Sequence, residues 1–282
     1  MNNNNHTVDS PLQKNANNPI KITLIGAGGV ATNLGRLFKE RGAGNRIKII
    51  QLLGRSELST SQLAAQLDCP FTTDPAALNQ SSDLYVIAIQ DREIAEILPK
   101  LSIPQEAMIV HTAGGVPIDI FKGLFKHYGV LYPLQSLRKE TSIIPAIPFY
   151  LDANSPASKT RLESFALKAA LDYQWADDNG RMQLHIAAVF CSNFPNYFYA
   201  LAEDFCNRQG LDFTRVLPVI EETGNRLARE GLSPASLQTG PAIRKDKATT
   251  DKHAALLASD PEALHIYTYM TKLIMDSPLL NK

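Results

Sequence analysis

Residues 21–34 read KITLIGAGGVATNL, and their order decides the architecture of the first half of the chain. KITLI (21–25) is a short apolar run of strand character that meets Gly26-Ala27-Gly28-Gly29. Residues 30–41 then place Val30, Leu34, Leu37 and Phe38 at the spacing of one helix face. The run from Gly26 to Ala31 fits G-x-G-x-x-A. In that pattern the first glycine permits the tight turn, Gly28 lets the backbone approach a pyrophosphate, and Ala31 keeps the helix close to the strand. The N–H groups that open the helix, around Gly29 and Val30, would hold the phosphate charge with the help of its dipole. Such a turn also occurs without a ligand. Its place between a first strand and a first helix is what turns it into a dinucleotide signature.

The next β-rich run, Ile47 to Leu53, ends at Gly54-Arg55-Ser56. An acid at this point would take the ribose 2′-hydroxyl of NAD, whereas an arginine accommodates the 2′-phosphate of NADP. Arg55 can fork onto phosphate oxygens and Ser56 can donate a hydroxyl, which favours NADP. Glu57, the nearest acid, lies one step into the loop and keeps NAD open, and Arg55 could instead be a solvated loop cation. Residues 58–67 look helical, Pro70 to Thr72 form a brief third strand, and Asp74 or Pro75 starts another helix. Leu84 to Ile89 (LYVIAI) is the most apolar run and does not alternate, as expected of a strand covered on both faces. Further strands are expected at Ala107–His111, Gly129–Leu131, Phe149–Leu151 and Tyr173–Trp175, with a helix over 158–170.

This alternation predicts a parallel doubly wound sheet, a Rossmann-type α/β domain over residues 20–178. An all-α domain follows over 179–282. It comprises a helical stretch from Leu184 to Arg208 interrupted only by Pro195, and a helix at 213–230 that Pro218 should kink. Helices at 247–258 and 261–275 complete it. No strand is expected after Trp175.

The 282 residues carry 28 basic and 28 acidic side chains. With no net field, nucleic acid and anionic membrane are not expected partners, so an anionic ligand must be held by local groups. No apolar run nears the roughly 18 residues needed to cross a bilayer. Residues 1–19, rich in Asn, predict a disordered leader without the apolar segment of a secretory signal. Cys69, Cys191 and Cys206 lack metal-ligand or disulfide spacing, so no metal is expected and the cytoplasm is the default compartment.

Six stretches together resemble the 6-phosphogluconate dehydrogenase superfamily, which includes pyrroline-5-carboxylate reductases, ketopantoate reductases and deazaflavin-dependent NADP oxidoreductases. They are IGAGGVATNL (25–34), DLYVIAIQD (83–91), HTAGG (111–115), YPLQS (132–136), HIAAVFCSNF (185–194) and TGPAIRKD (239–246). The last four are more similar to Rossmann-like proteins with a C-terminal helical domain of unknown function, some of them regarded as an alternative type of ketopantoate reductase. The resemblance implies a cofactor across the C-terminal edge of the sheet, with Ile89, Gln90, Asp91, His111, Thr112 and Gly114 bordering the nicotinamide. It also implies a helical domain that closes over the nicotinamide and mediates a homodimer.

Reducing a carbonyl or imine needs a positioned hydride and a proton donor. His111, at the end of an apolar strand, is expected at the rim of the site as that donor, or as a cap of the following turn. His185 and Asn193 are eight residues apart, about 80° on an ideal helix. Many superfamily members carry a Lys on this helix and an Asn four residues later. Asn193 matches that Asn, but Val189 stands at the Lys position. Either His185 or His111 replaces the lysine, or the protein binds its cofactor without redox turnover as a sensor or assembly protein. Arg244 could receive a small-molecule carboxylate bidentately, with Lys245 and Lys247 nearby, and the resemblance adds a site role for Asp246. The leading expectation is an NADP(H)-dependent reductase of a small, ketopantoate-like oxoacid or imino acid, with deazaflavin-linked hydride transfer a weaker third reading.

Overall fold

The computed structural model describes residues 18–280 apart from 43, 45, 231 and 232, so most of the expected leader lies outside the described residues. The chain divides into two compact units, one up to Asn193 and one from Phe194 onward.

The first unit is built on an eight-stranded sheet in the order β3-β2-β1-β4-β5-β6-β7-β8. Its strands are β1 (Ile20–Ile25), β2 (Ile47–Leu53), β3 (Phe71–Thr72), β4 (Leu84–Ile87), β5 (Met108–His111), β6 (His127–Pro133), β7 (Pro148–Ala153) and β8 (Asp172–Trp175). The helices of this unit are α1 (Gly29–Arg41), α2 (Glu57–Leu67), α3 (Asp91–Ile97), α4 (Pro156–Lys168) and α5 (Asp178–Ala188). Order reverses outward from β1 and β4, the topological switch point at which ligands of doubly wound sheets bind. One apolar cluster joins Leu24, Leu34, Phe38, Leu52 and Phe165 on one face. A second joins Tyr85, Ile87, Ile94, Ile109 and Phe121 on the other. Both faces of β4 are therefore covered, which explains its unbroken apolar run.

Four sequence expectations change. β7 runs antiparallel to β6, with Leu131 opposite Leu151, so the sheet is mixed rather than wholly parallel. The reason is local: residues 134–147 form no helix, and a parallel return needs a long crossover, usually helical. The helix expected from Asp74 or Pro75 is a single 3₁₀ turn, Pro75–Ala77. The strand from Leu84 ends at Ile87, because Gln90 opens α3, a helix the periodicity did not reveal. Pro218 does not kink its helix: α7 (Leu217–Glu230) begins one residue earlier, where a missing N–H removes no helical bond.

α5 is pinned by Arg181, whose side chain is wholly buried. Its guanidinium donates to Asp152 of β7 at 2.8 Å and to the Ala176 carbonyl at 3.0 Å, and also bonds Asp178. Asp178 in turn accepts the Ile118 N–H at 2.9 Å.

A π-helical turn, Val189–Asn193, follows α5, and the second unit opens at α6 (Phe194–Arg208). The π turn lies directly before Phe194-Pro195, so regular α-helix is interrupted at Pro195, as the sequence predicts. α7, α8 (Lys247–Leu256) and α9 (Pro261–Asp276) complete this unit, with no strand among its described residues. Of those residues only Cys206, Ala242 and Thr250 are buried. Phe198, Phe205, Leu256, Tyr267, Met270 and Ile274 line an apolar groove of about 710 Å³.

Removing a partner of a buried ion pair strands charge out of water. Arg181→Ala is expected to lower the stability of the first unit by about 3–5 kcal/mol, read from urea unfolding followed by circular dichroism.

Candidate active site

Gly26 ends β1 with φ at +123°, and a Cβ there would lie 2.2 Å from the Ala88 carbonyl oxygen. Only glycine fits, both for conformation and for space. Gly28, the residue before α1, has nothing within 4 Å of its would-be Cβ. That helix has no side-chain cap and no acid in its first turn, so no side chain offsets the positive end of its dipole. Gly29 is roofed by the Leu137 carbonyl, 2.4 Å from its would-be Cβ, and Asn33 fixes that roof by donating to Arg138 at 2.9 Å. Ala31 is fully buried against the sheet and Val30 half-buried. These features fit the pyrophosphate of a dinucleotide.

Arg55 lies at the end of β2 with its side chain 83% exposed, where it pairs with Glu93 of α3 at 2.7 Å. Ser56 caps α2, accepting from Ser59 N–H at 3.4 Å. Arg55, Glu93, Gly54, Ile89 and Lys100 border a cavity of about 220 Å³ that begins at Gly26. The acids on this cavity are Glu93 and Glu96, not Glu57, and the pairing of Glu93 with Arg55 is a relation sequence distance could not show because the two are 38 residues apart.

His111 is at its expected strand end, but its ring is wholly buried and packs 5.5 Å from Phe121, centroid to centroid. Its Nδ1 accepts the Ala113 N–H at 3.3 Å. Burial, reinforced by the Arg181 charge, pushes its pKa down to about 3, while the Pro117 carbonyl pulls weakly the other way. It is a neutral turn-holding side chain inside the core, which corrects the expectation of a proton donor at the rim. Thr112 likewise turns inward, its hydroxyl donating to the Ile87 carbonyl at 3.2 Å. Gln90 is exposed at the start of α3.

At the same sheet edge, the penultimate residue of β6 is Tyr132, whose hydroxyl is 3.1 Å from Nδ1 of His185 on α5. The tyrosine ring lies on Gly114, where a Cβ would be 2.7 Å from its Cζ. Asp91 opens α3 beside this pair, its Oδ2 3.7 Å from the would-be Cβ of Gly115. Burial, with Asp91 adding to it, holds the Tyr132 hydroxyl above its ordinary pKa. His185 and Asp91 are among the residues expected at the site from the sequence; Tyr132 is not. YPLQS was the signal, since it marks a strand ending in a hydroxyl at the cofactor edge.

His185 and Asn193 are both exposed, and the wider π turn between them carries them nearer one face than an ideal α-helix would. In the second unit Arg244 and Lys245 are exposed, and Lys245 adopts φ +56°. Lys247 pairs with Asp251 at 2.8 Å. Asp246 caps α8, accepting from Thr249 N–H at 3.1 Å and its hydroxyl at 2.7 Å. Those bonds, with help from Arg244 and Lys252, hold its carboxyl below the usual range. Its position is thus explained as a helix cap. Among the described residues no group of three His, Cys, Asp or Glu could hold a metal ion, and no helix is long and apolar enough to cross a membrane.

A Gly-rich turn at the switch point beside an arginine-bordered cavity defines a dinucleotide-binding protein of the doubly wound class. Residues 21–115 match the family model described as NADP oxidoreductase, coenzyme F420-dependent, and residues 147–274 match a domain of unknown function (DUF2520). A crystal structure of a candidate NADP oxidoreductase from Bacteroides fragilis is 36% identical, with a TM-score of 0.84, over 92% of this chain and 98% of that one. The chain belongs to this NADP oxidoreductase family. More distant likenesses include a 1-pyrroline-5-carboxylate reductase from Streptococcus pyogenes, at 16% identity and TM-score 0.57 over 89% of this chain and 98% of that one. Another is a reductive aminase from Aspergillus terreus crystallised with NADPH and ethyl-5-oxohexanoate, at 14% and 0.62 over 92% and 95%. No protein of curated function matches the sequence.

His111 supplies a pH test. Its folded-state pKa, about 3, lies below the 6.5 of a free histidine. Its contribution is therefore complete above pH 6.5 and is lost as pH falls toward 3, at about 1.4 kcal/mol per unit. Chemical denaturation between pH 7 and 4 should show this slope, and His111→Asn should flatten it.

Proposed function

We propose that the protein is an NADP(H)-dependent reductase of a small oxoacid or imino acid, of ketopantoate-like size, within the 6-phosphogluconate dehydrogenase superfamily. The observation that carries this reading is the glycine turn, through Gly26, and Arg55 bordering one cavity. The helix terminus would take the pyrophosphate, and Arg55 would leave Glu93 for the 2′-phosphate, a bidentate acceptor that a surface carboxylate pair does not outweigh. The bound cofactor supplies the hydride. The chain must supply orientation and a proton, and with His111 buried and neutral, His185 and Asn193 are the matched polar groups left to do so. Arg244 would bind the substrate carboxylate. The matched description also names coenzyme F420, so hydride exchange with a deazaflavin belongs in the same assays.

Val189 favours a second reading, cofactor binding without turnover, because an apolar side chain stands where the resemblance expects a lysine. The two readings part in one assay. Purified protein offered NADPH and a panel of 2-oxo and imino acids should oxidise the nucleotide, and tight binding with no turnover on any substrate would establish the second. Arg55→Ala is expected to weaken NADPH about ten- to hundredfold, the loss of 1.5–3 kcal/mol from a hydrogen bond to a charged group, while NADH affinity stays within about twofold. Calorimetry reads both.

The helical unit supports a homodimer. Eighty-odd residues whose described members bury only three side chains lack the core that a small domain needs. A second copy covering the Phe198–Ile274 groove would supply it. Light scattering should give twice the chain mass, and Phe205→Asp on the groove should halve it.

A further inference from the structure

We infer that Tyr132 is the catalytic proton donor and that His185 is its proton supply, a two-residue replacement for the lysine that Val189 displaces. This deepens the reductase reading and rests on it. Three independent features converge on Tyr132. It lies one residue from the end of β6, at the edge where β1, β4 and β5 also end, the edge at which doubly wound sheets bind their ligands. Its ring is held by backbone geometry, since Gly114 leaves room for an aromatic face where any larger residue would push it away. Its hydroxyl, in an otherwise buried residue, meets a ring nitrogen of exposed His185 at 3.1 Å. A buried phenol on a solvent-exposed imidazole has a structural use as a satisfied hydrogen bond. Its position beside Asp91 and the HTAGG loop, at the cofactor edge, gives it a chemical one.

The charged and titratable groups around the phenol are Asp91 from α3, His185 from α5 and Tyr150, its cross-strand partner on β7. Burial, with Asp91 adding to it, disfavours a tyrosinate, so the phenol keeps its proton until a stronger base forms. That base is the oxygen, or nitrogen, left negative when the substrate carbon accepts a hydride and the double-bond pair moves to the heteroatom. Tyr132 Oη–H then breaks, and its proton completes the alcohol or amine. His185 takes a proton from water at Nε2 and passes its Nδ1 proton to the tyrosinate. One hydride and one solvent proton are consumed per double bond reduced; Tyr132 is again a phenol, and His185, left with its proton on Nε2, regains the Nδ1–H tautomer by proton exchange with water.

Tyr132→Phe keeps the ring on Gly114 and removes only the oxygen. It should lower kcat about a hundredfold or more, the usual scale of a positioned proton donor, while the NADPH Kd and the melting temperature stay unchanged. His185→Gln should lower kcat about tenfold, with Kd again unchanged. In nucleotide-free protein, ¹⁵N NMR of His185 should show a changed Nδ1/Nε2 tautomer population in the Tyr132→Phe variant. A wild type that turns over while Tyr132→Phe keeps kcat within about threefold overturns this proposal and leaves the reductase reading standing. A lowered kcat with an unchanged tautomer overturns the relay through His185. A wild type with no turnover on any substrate overturns both.

Discussion

The carbonyl of Ala88 stands where a side chain on Gly26 would have to be, and much of the first unit follows from that contact. A parallel sheet brings β1 and β4 together along their length, yet at the switch point their chains must leave toward opposite faces. Gly26 makes the departure possible by adopting a backbone conformation that L side chains resist, directly against the end of β4. The chain then enters α1 past Gly28, whose would-be side chain meets open space, and the cavity bordered by Arg55 and Glu93 opens beside Gly26. The connection after β6 closes over Gly29 with its own backbone, so the turn is held from two sides by carbonyl groups rather than by side chains. Polar main chain around a glycine turn is well suited to a ligand that is itself mostly charge and sugar.

Around this edge two histidines of similar sequence appearance have opposite fates. His111 is the last residue of an apolar strand and is held in the core, where desolvation and the Arg181 charge keep it neutral. His185 sits on a helix that Arg181 anchors, and its ring points to water with one nitrogen on Tyr132. Arg181 thus does two jobs with one charge: it locks α5 to β7 through carboxylates, and it keeps a second cation from forming nearby.

Local signals were legible wherever the chemistry was local. The glycine turn, the bounds of β2 and the absence of strands among the described residues of the helical unit all come from periodicity and turn residues. The orientation of β7 was not legible, because strand direction is set by the connection, and a helix-free stretch of loop residues resembles any other loop. The acid facing Arg55 was not legible either: Glu93 lies on another element, 38 residues away. Tyr132 was quoted within a motif and passed over, because an aromatic at the end of an apolar strand reads as core until its hydroxyl partner is located. The second family match begins at residue 147, so it includes β7, α4 and β8, whereas the compact units part at Asn193. Sequence kinship and folding unit are therefore divided at different places.

The two outermost strands carry a consequence of their own. β3 has two residues and β8 four, and along β8 exposed Asp172 and Gln174 alternate with half-buried aromatics. An open sheet offers unpaired N–H and C=O groups at each rim, where another chain could add itself as a further strand. Here each rim is too short for that, and β8 also carries a charge and an amide outward. The most apolar strands, β4 and β5, lie at the centre of the order, three or more positions from either rim. Self-association by strand addition is thus discouraged by the order of the strands, and the sheet can keep its ligand-binding edge open without keeping its flanks adhesive.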